Sequence, residues 1–280
     1  MQLAIAQTEP KLGAVEDNIE RACDMIAEAR AEGADHIVFP ELALTGYMIG
    51  QVEHDLILRA QDNRLAGIGR AADPAGVVVG CIEDGRSVQT YNSAAYFSEG
   101  QLVHVHRKLY LPTYWIFEER KHFSPGQSMR AYSGPGFRMA TLICNDAWQA
   151  QLAFLAVQDG ARLLNVPVNS AQSLFPERYN AVEYWHDINR FLGRMFQTFL
   201  VFANRVGAEG QLRFWGGSHV IDPWGRVLGQ AAFDTEDLLI VEIDPDQVRT
   251  RRRDVPLVRE ARLGLLEREI RRIADEGGDL

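Results

Sequence analysis

A thiol, a carboxylate and an ammonium group stand at three separated places in this chain, each at or just past the end of an apolar run. Cys144 closes the run Met139-Ala140-Thr141-Leu142-Ile143 and is followed at once by Asn145-Asp146. The run predicts a short buried strand, and the polar pair predicts the turn where the chain leaves the sheet. In open α/β sheets ligands bind in that region, outside the carboxyl ends of the strands. Glu41 follows His36-Ile37-Val38-Phe39-Pro40 and precedes Leu42-Ala43-Leu44. A carboxyl group in such dry surroundings holds a proton more readily, which makes it a usable base near neutral pH. Lys108 follows Gln101 to His106 and leads into Leu109-Tyr110-Leu111-Pro112. A fixed cation there favours a thiolate and holds a developing oxyanion.

Taken singly, each residue has a plainer reading: a small core side chain for Cys144, a helix cap or ion-pair partner for Glu41, a solvated charge for Lys108. Taken together they supply covalent chemistry at a carbonyl or nitrile carbon. The thiol attacks, the carboxylate takes and returns the proton, and the ammonium stabilises negative charge. That requires the three strands to be neighbours.

The elements that must position them alternate between strand and helix. Residues 1–7 predict a first strand, without the basic start and long apolar stretch of a secretory leader. From Asp17 to Glu32 the apolar positions Ile19, Ala22, Cys23 and Ile26 recur at helical spacing, and Gly33 offers a stop. Strands are expected over His36 to Phe39 and over Val77 to Ile82, the latter holding Cys81. Tyr91 to Phe97 and Gln101 to His106 flank Ser98-Glu99-Gly100, a hairpin pattern. A helix is expected from Gln149 to Gln158, a strand from Arg162 to Val168, and a long helix from Glu183 to Phe199. Leu200 to Asn204, Gly217 to Asp222 and Leu238 to Ile243 supply the remaining strands. Helix-linked strands mixed with hairpins predict a layered α/β sandwich rather than a purely parallel sheet. There is no GxGxxG or GxxxxGK[ST] pattern to support nucleotide phosphate binding.

With 280 residues, 46% of them hydrophobic, the chain has material for one substantial core. Residues 1–250 are expected to form that domain, and 251–280 an appended helical tail that makes an oligomer contact. The formal charge of −9 argues against nucleic acid or an anionic membrane as partner. Arg249 to Arg253 is a local exception, read as a solvated tail or subunit contact. Three scattered cysteines without a CxxC pattern argue against a disulfide framework or zinc ribbon, and a reducing cytoplasm is the simplest home. No apolar stretch approaches the roughly 18 residues of a membrane span. His104 and His106 share one strand face, but no cluster of further ligands accompanies them, so no metal or other cofactor is expected. Tyr47, Tyr114, Trp115, Trp148 and Trp185 lie near the same segments and are candidates for pocket walls.

Three segments in this order, Phe39-Pro40-Glu41-Leu42-Ala43-Leu44-Thr45-Gly46-Tyr47, Arg107-Lys108-Leu109-Tyr110-Leu111-Pro112 and Leu142-Ile143-Cys144-Asn145-Asp146-Ala147-Trp148, resemble the signatures of the nitrilase superfamily of carbon–nitrogen hydrolases. Phe117 to Gly126, Asn204 to Gly207 and Gly216 to Gly225 extend the likeness, which runs to about residue 245. The resemblance implies a four-layer α-β-β-α sandwich. It also implies a Glu41–Lys108–Cys144 triad, a second glutamate at Glu119 rather than Glu118, and the Asn145 backbone N–H in an oxyanion hole. It makes Asn169 and Ser170 a pocket wall beside Tyr114 and Trp148. It further implies a small-molecule amide substrate, a cysteine thioester intermediate and self-association as a dimer or higher oligomer.

Within the superfamily the sequence looks closest to the glutaminase domain of glutamine-dependent NAD synthetases. That domain usually shows Cys-Glu-Asp where this chain has Cys144-Asn145-Asp146, and a glycine is common where Trp115 stands, which puts glutamine in doubt. A free-standing amidase is the expectation. Nitrilase, N-carbamoyl hydrolase, and a glutaminase subunit or binding partner of a synthetase are the alternatives.

Overall fold

The computed structural model describes residues 1–277 apart from 53–54, 60–61, 86–87, 115–116 and 174. In chain order the elements are β1 (Gln2–Gln7), α1 (Val15–Ala31), β2 (His36–Val38), α2 (Asn63–Ala72), β3 (Gly76–Asp84), β4 (Thr90–Ser98), β5 (Gln101–Arg107), β6 (Tyr132–Ser133), β7 (Arg138–Thr141), α3 (Ala150–Gln158), β8 (Leu163–Val168), α4 (Ala181–Phe196), β9 (Phe199–Asn204), β10 (Val206–Glu209), β11 (Leu212–Trp215), β12 (His219–Ile221), β13 (Val227–Gln230), β14 (Asp237–Glu242), α5 (Asp246–Asp254) and α6 (Leu263–Asp275).

Two six-stranded sheets, β14-β1-β2-β3-β4-β5 and β13-β12-β9-β8-β7-β6, carry the fold. Each has a parallel centre, β1-β2-β3 in one and β7-β8-β9 in the other, and antiparallel flanks. The central strands are apolar at nearly every position because both faces are covered. Period-two alternation then sorts their side chains. Leu3, Ile5, Val38 and Val78 meet Met139, Leu163, Phe199 and Val201 between the sheets. Ala4, Ala6, Val77 and Val79 face α1 and α2, whose Ala22, Ile26 and Ile68 cover the first sheet. Leu164, Leu200 and Phe202 face α3 and α4, which contribute Leu152, Trp185 and Leu192. The result is the expected α-β-β-α sandwich.

A polar chain crosses the inter-sheet core. His36 Nε2 lies 2.9 Å from Asn165 Oδ1, Asn165 donates to the Tyr132 hydroxyl at 3.0 Å, and that hydroxyl meets Thr141 Oγ1 at 2.7 Å.

The hairpin after β4 turns through Glu99 and Gly100, both at positive φ, a two-residue geometry that matches the twist of the strands it joins. Other expectations need correction. The strand foreseen to Cys144 ends at Thr141; one more backbone bond, Leu142 N–H to the Asn165 carbonyl at 2.9 Å, follows, and then the chain tightens into a 3₁₀ turn over Cys144–Trp148. The helix foreseen to Phe199 ends at Phe196, where Gln197 takes a left-handed conformation (φ 52°) and Phe199 opens β9. The basic stretch is not simply solvated: Arg252 donates to the carbonyls of Ala161 and Gln197, tying α5 to the body. Within 251–280 lie the end of α5, which already starts at Asp246, and the whole of α6; residues 278–280 lie outside the described residues.

Candidate active site

Four side chains reach one place from four different elements. Phe39 N–H bonds to the Val78 carbonyl at 2.9 Å, after which the chain turns sharply through Glu41 and Leu42, the latter at φ 48°. Gly80 of β3 makes that turn possible, since a Cβ there would sit 2.4 Å from Leu42 N and 2.5 Å from the Pro40 oxygen. Lys108 extends the β4–β5 pairing by one residue, its N–H donating to the Asn92 carbonyl at 2.9 Å. Glu119 opens a 3₁₀ turn whose first N–H donates to the Pro112 carbonyl at 3.2 Å. Cys144 has φ 47°, an uncommon conformation for a residue with a Cβ and one that clusters at functional sites.

Lys108 is fully buried, with Nζ 2.7 Å from Glu41 Oε1 and 2.8 Å from Glu119 Oε1. Asn92 Nδ2 donates to the same Glu41 oxygen at 2.7 Å, and the Asn169 backbone N–H donates to Glu41 Oε2 at 2.8 Å. The Tyr47 hydroxyl donates to Glu119 Oε1 at 2.7 Å, while Glu119 Oε2 is buried without a partner. Burial pulls the Lys108 pKa down; the flanking carboxylates of Glu119 and Glu41 outweigh it and hold the ammonium well above the usual lysine range. Burial pushes the Glu119 carboxyl up to about 7, against the pull of Lys108 and with help from the charge of Glu41. Burial also pushes the Cys144 thiol well above its ordinary value, and the charges of Glu41 and Glu119 add to this. Lys108 and the Asn169 N–H offset only part of it.

A second carboxylate network fixes the frame. Asp146 is fully buried; its Oδ1 accepts from the N–H groups of Leu109 (3.0 Å) and Tyr110 (2.9 Å), and its Oδ2 meets His106 Nε2 at 2.9 Å and Ile143 N–H at 3.2 Å. One side chain thus clamps the segment after β5, which carries Lys108, to the turn that carries Cys144. His106 is a partner in that clamp. Among the described residues no group of three or more His, Cys, Asp or Glu is placed to hold a metal. Glu209 performs a similar task for Tyr47, accepting from the Tyr47 and Met48 N–H groups at 2.9 Å each and pairing with the buried Arg205. Asp146 had a faint signal in the sequence: a short carboxylate soon after a strand can reach back to a backbone N–H, here that of Ile143 three residues earlier. Arg205 and Glu209 had none, because they act on a segment some 160 positions away.

Cys144 and Glu119 open onto a cavity of about 720 Å³, with Glu41 and Lys108 buried behind its wall. Tyr114, Asn145, Trp148, Asn169 and Ser170, all expected near substrate, line it, as do Tyr47 and Trp185. Their states differ. Both polar atoms of the Asn169 carboxamide are buried without partners. The Ser170 hydroxyl accepts from the Trp215 indole at 3.0 Å, and its backbone is bracketed by Asn204, so it forms a fixed wall. Asn145 Nδ2 donates to the Tyr110 carbonyl at 3.2 Å. Trp148 stacks on Tyr184 and meets Trp185 edge-on. Trp115 lies outside the described residues. Glu118 is exposed and pairs with Lys121, whereas Glu119 is the one of the two that contacts Lys108.

A two-sheet sandwich with an acid–ammonium–acid cluster beside a cavity thiol is the architecture of a carbon–nitrogen hydrolase. The chain belongs to that family, whose sequence profile matches residues 2–253. A glutamine-dependent NAD(+) synthetase of Xylella fastidiosa is 34% identical over 267 residues, covering 92% of this chain and 46% of the synthetase. An omega-amidase of Mus musculus is 26% identical over 261 residues, covering 89% of this chain and 91% of that protein. The chain spans about half the length of the synthetases it matches. Among solved structures, an amidase from Nesterenkonia with acrylamide added at its active site cysteine superposes with a TM-score of 0.75 at 25% identity, covering 91% of this chain and 98% of that one. No helix among the described residues is long and apolar enough to cross a membrane.

Proposed function

We propose that the protein hydrolyses small-molecule amides through an acyl thioester on Cys144. The observation that carries this reading is Lys108 held between Glu41 and Glu119 beside a thiol that opens onto a cavity. Glu41 removes the thiol proton as sulfur bonds to the amide carbon. Two of the three Lys108 N–H donors are engaged, and the third serves the oxyanion together with the Asn145 N–H. The carbon–nitrogen bond then breaks, Glu41 returns its proton to the departing ammonia or amine, and the thioester remains. Glu41 next takes a proton from water, hydroxide adds to the thioester carbon, and the carboxylic acid leaves as the thiol re-forms. The unpartnered Glu119 Oε2 and Asn169 carboxamide supply hydrogen bonds to the substrate amide.

Ammonia release from a panel of amides, ureido acids and nitriles tests the reading. Amides should lead, with a mass increment on Cys144 rather than Cys23 or Cys81. Cys144→Ala should lower turnover by at least about 10³-fold; undiminished hydrolysis by that variant rejects the assignment. The identity to NAD synthetases favours a second reading, a glutaminase that works with a synthetase partner. Inactivity alone, relieved by adding such a partner, would select it. A cytoplasmic location and self-association through the C-terminal helices belong to the first reading. Leu263, Leu266, Ile270 and Ile273 form an exposed apolar stripe at helical spacing on α6, and a monomer mass by light scattering at every concentration counts against association.

A further inference from the structure

The walls of the cavity are aromatic: Tyr47, Tyr114, Phe117, Trp148, Phe175 and Tyr179. Apart from Cys144 and Glu119, the polar side chains of the described lining are neutral: amides, hydroxyls, phenols and indoles. No lysine or arginine lines the cavity among the described residues. Lys108 is already committed to two carboxylates. Arg178 lies over the Phe175 ring at 5.8 Å but is solvent-exposed and does not line the cavity.

A substrate that carries its own carboxylate, such as glutamine or a dicarboxylic acid monoamide, would therefore bring an unpaired anion into a partly dry space that already holds Glu119. Desolvation and like-charge repulsion both oppose it. An aromatic ring meets edges and faces it can pack against, and the volume suits an arylalkyl group rather than a bare acetyl. Resting on the amide-hydrolase reading above, we propose that the acyl group accepted by this site is an uncharged arylalkyl one, and that glutamine and other carboxylate-bearing ω-amides are excluded because no lysine or arginine stands in the wall among the described residues.

The test compares kcat/KM for ammonia release from phenylacetamide, 3-phenylpropionamide, acetamide, glutamine, succinamate and betaine amide. The aryl amides should exceed glutamine and succinamate by about 100-fold or more. Trp148→Ala, or the half-exposed Tyr114→Ala should the first not fold, should shrink the ratio of aryl amide to acetamide by about 10-fold. Glutamine, succinamate or betaine amide as the best substrate overturns the inference while leaving the hydrolase reading intact. If no amide is turned over, that reading fails; calorimetry on the Cys144→Ala protein then decides the inference separately. Tighter binding of phenylacetamide than of glutamine upholds it, and the reverse, or no binding of either, overturns it.

Discussion

The Cys144 thiol keeps its proton at neutral pH, because burial and two nearby acids act on it together and Lys108 offsets only part of their effect. Attack therefore needs a base at every turnover, which is the role proposed for Glu41. Two outcomes follow. Alkylation of Cys144 by an uncharged reagent should be slow at pH 7 and climb steadily into the alkaline range, followed by intact mass against time. Glu119→Gln removes one of the charges that raise the thiol, so alkylation should speed up while amide turnover drops by about 100-fold. Equal loss of both would make Glu119 merely structural. At this scale the sequence was largely readable. Glu41, Lys108 and Cys144 each stand past an apolar run, and Glu119 is implied by the family resemblance alone. Arg205 and Glu209 were not readable, because a side chain that steadies a distant backbone leaves no local pattern.

Elements hold these side chains through a few tight contacts. A methyl group at position 80 would collide with the Pro40–Leu42 backbone, so Gly80→Ala should cost about 1–3 kcal/mol in denaturant unfolding and suppress turnover by displacing Glu41. Asp146→Ala leaves three backbone N–H groups and His106 without their acceptor. It should cost about 3 kcal/mol and abolish activity, whereas Asp146→Asn, which keeps one carbonyl oxygen, should recover part of both. Unfolding curves and initial rates on the three proteins check this. The sandwich was legible because buried strands read as unbroken apolar runs. The helix α2 was not, since it is built partly on glycines; Gly69 is required because a Cβ there would lie 2.6 Å from the Phe97 ring. The strand before Cys144 was foreseen three residues too long because Leu142 and Ile143 are as apolar as the residues before them, and only Asp146 marks the change of direction.

Over the whole molecule, burial holds His36 neutral down to about 4 and His219 to about 3. An unfolded histidine takes its proton near 6.5, so between that pH and the folded values the unfolded chain binds more protons, and acidification favours unfolding. His36 should withdraw up to about 3 kcal/mol across its window and His219 up to about 5 kcal/mol. The melting temperature should thus fall from pH 7 to pH 5, and His36→Gln should flatten the slope; a slope unchanged in that variant assigns the effect elsewhere. His36 also bridges to Asn165 on the facing sheet. Glu41 and Lys108 come from one sheet, and Cys144 and the Asn169 N–H from the other. A slippage of an ångström between the layers would break the bond from Asn169 to Glu41 before any strand melted. On gentle warming the protein should fall silent while its circular dichroism still reports every helix in place, so that turnover becomes a gauge of how the halves are seated.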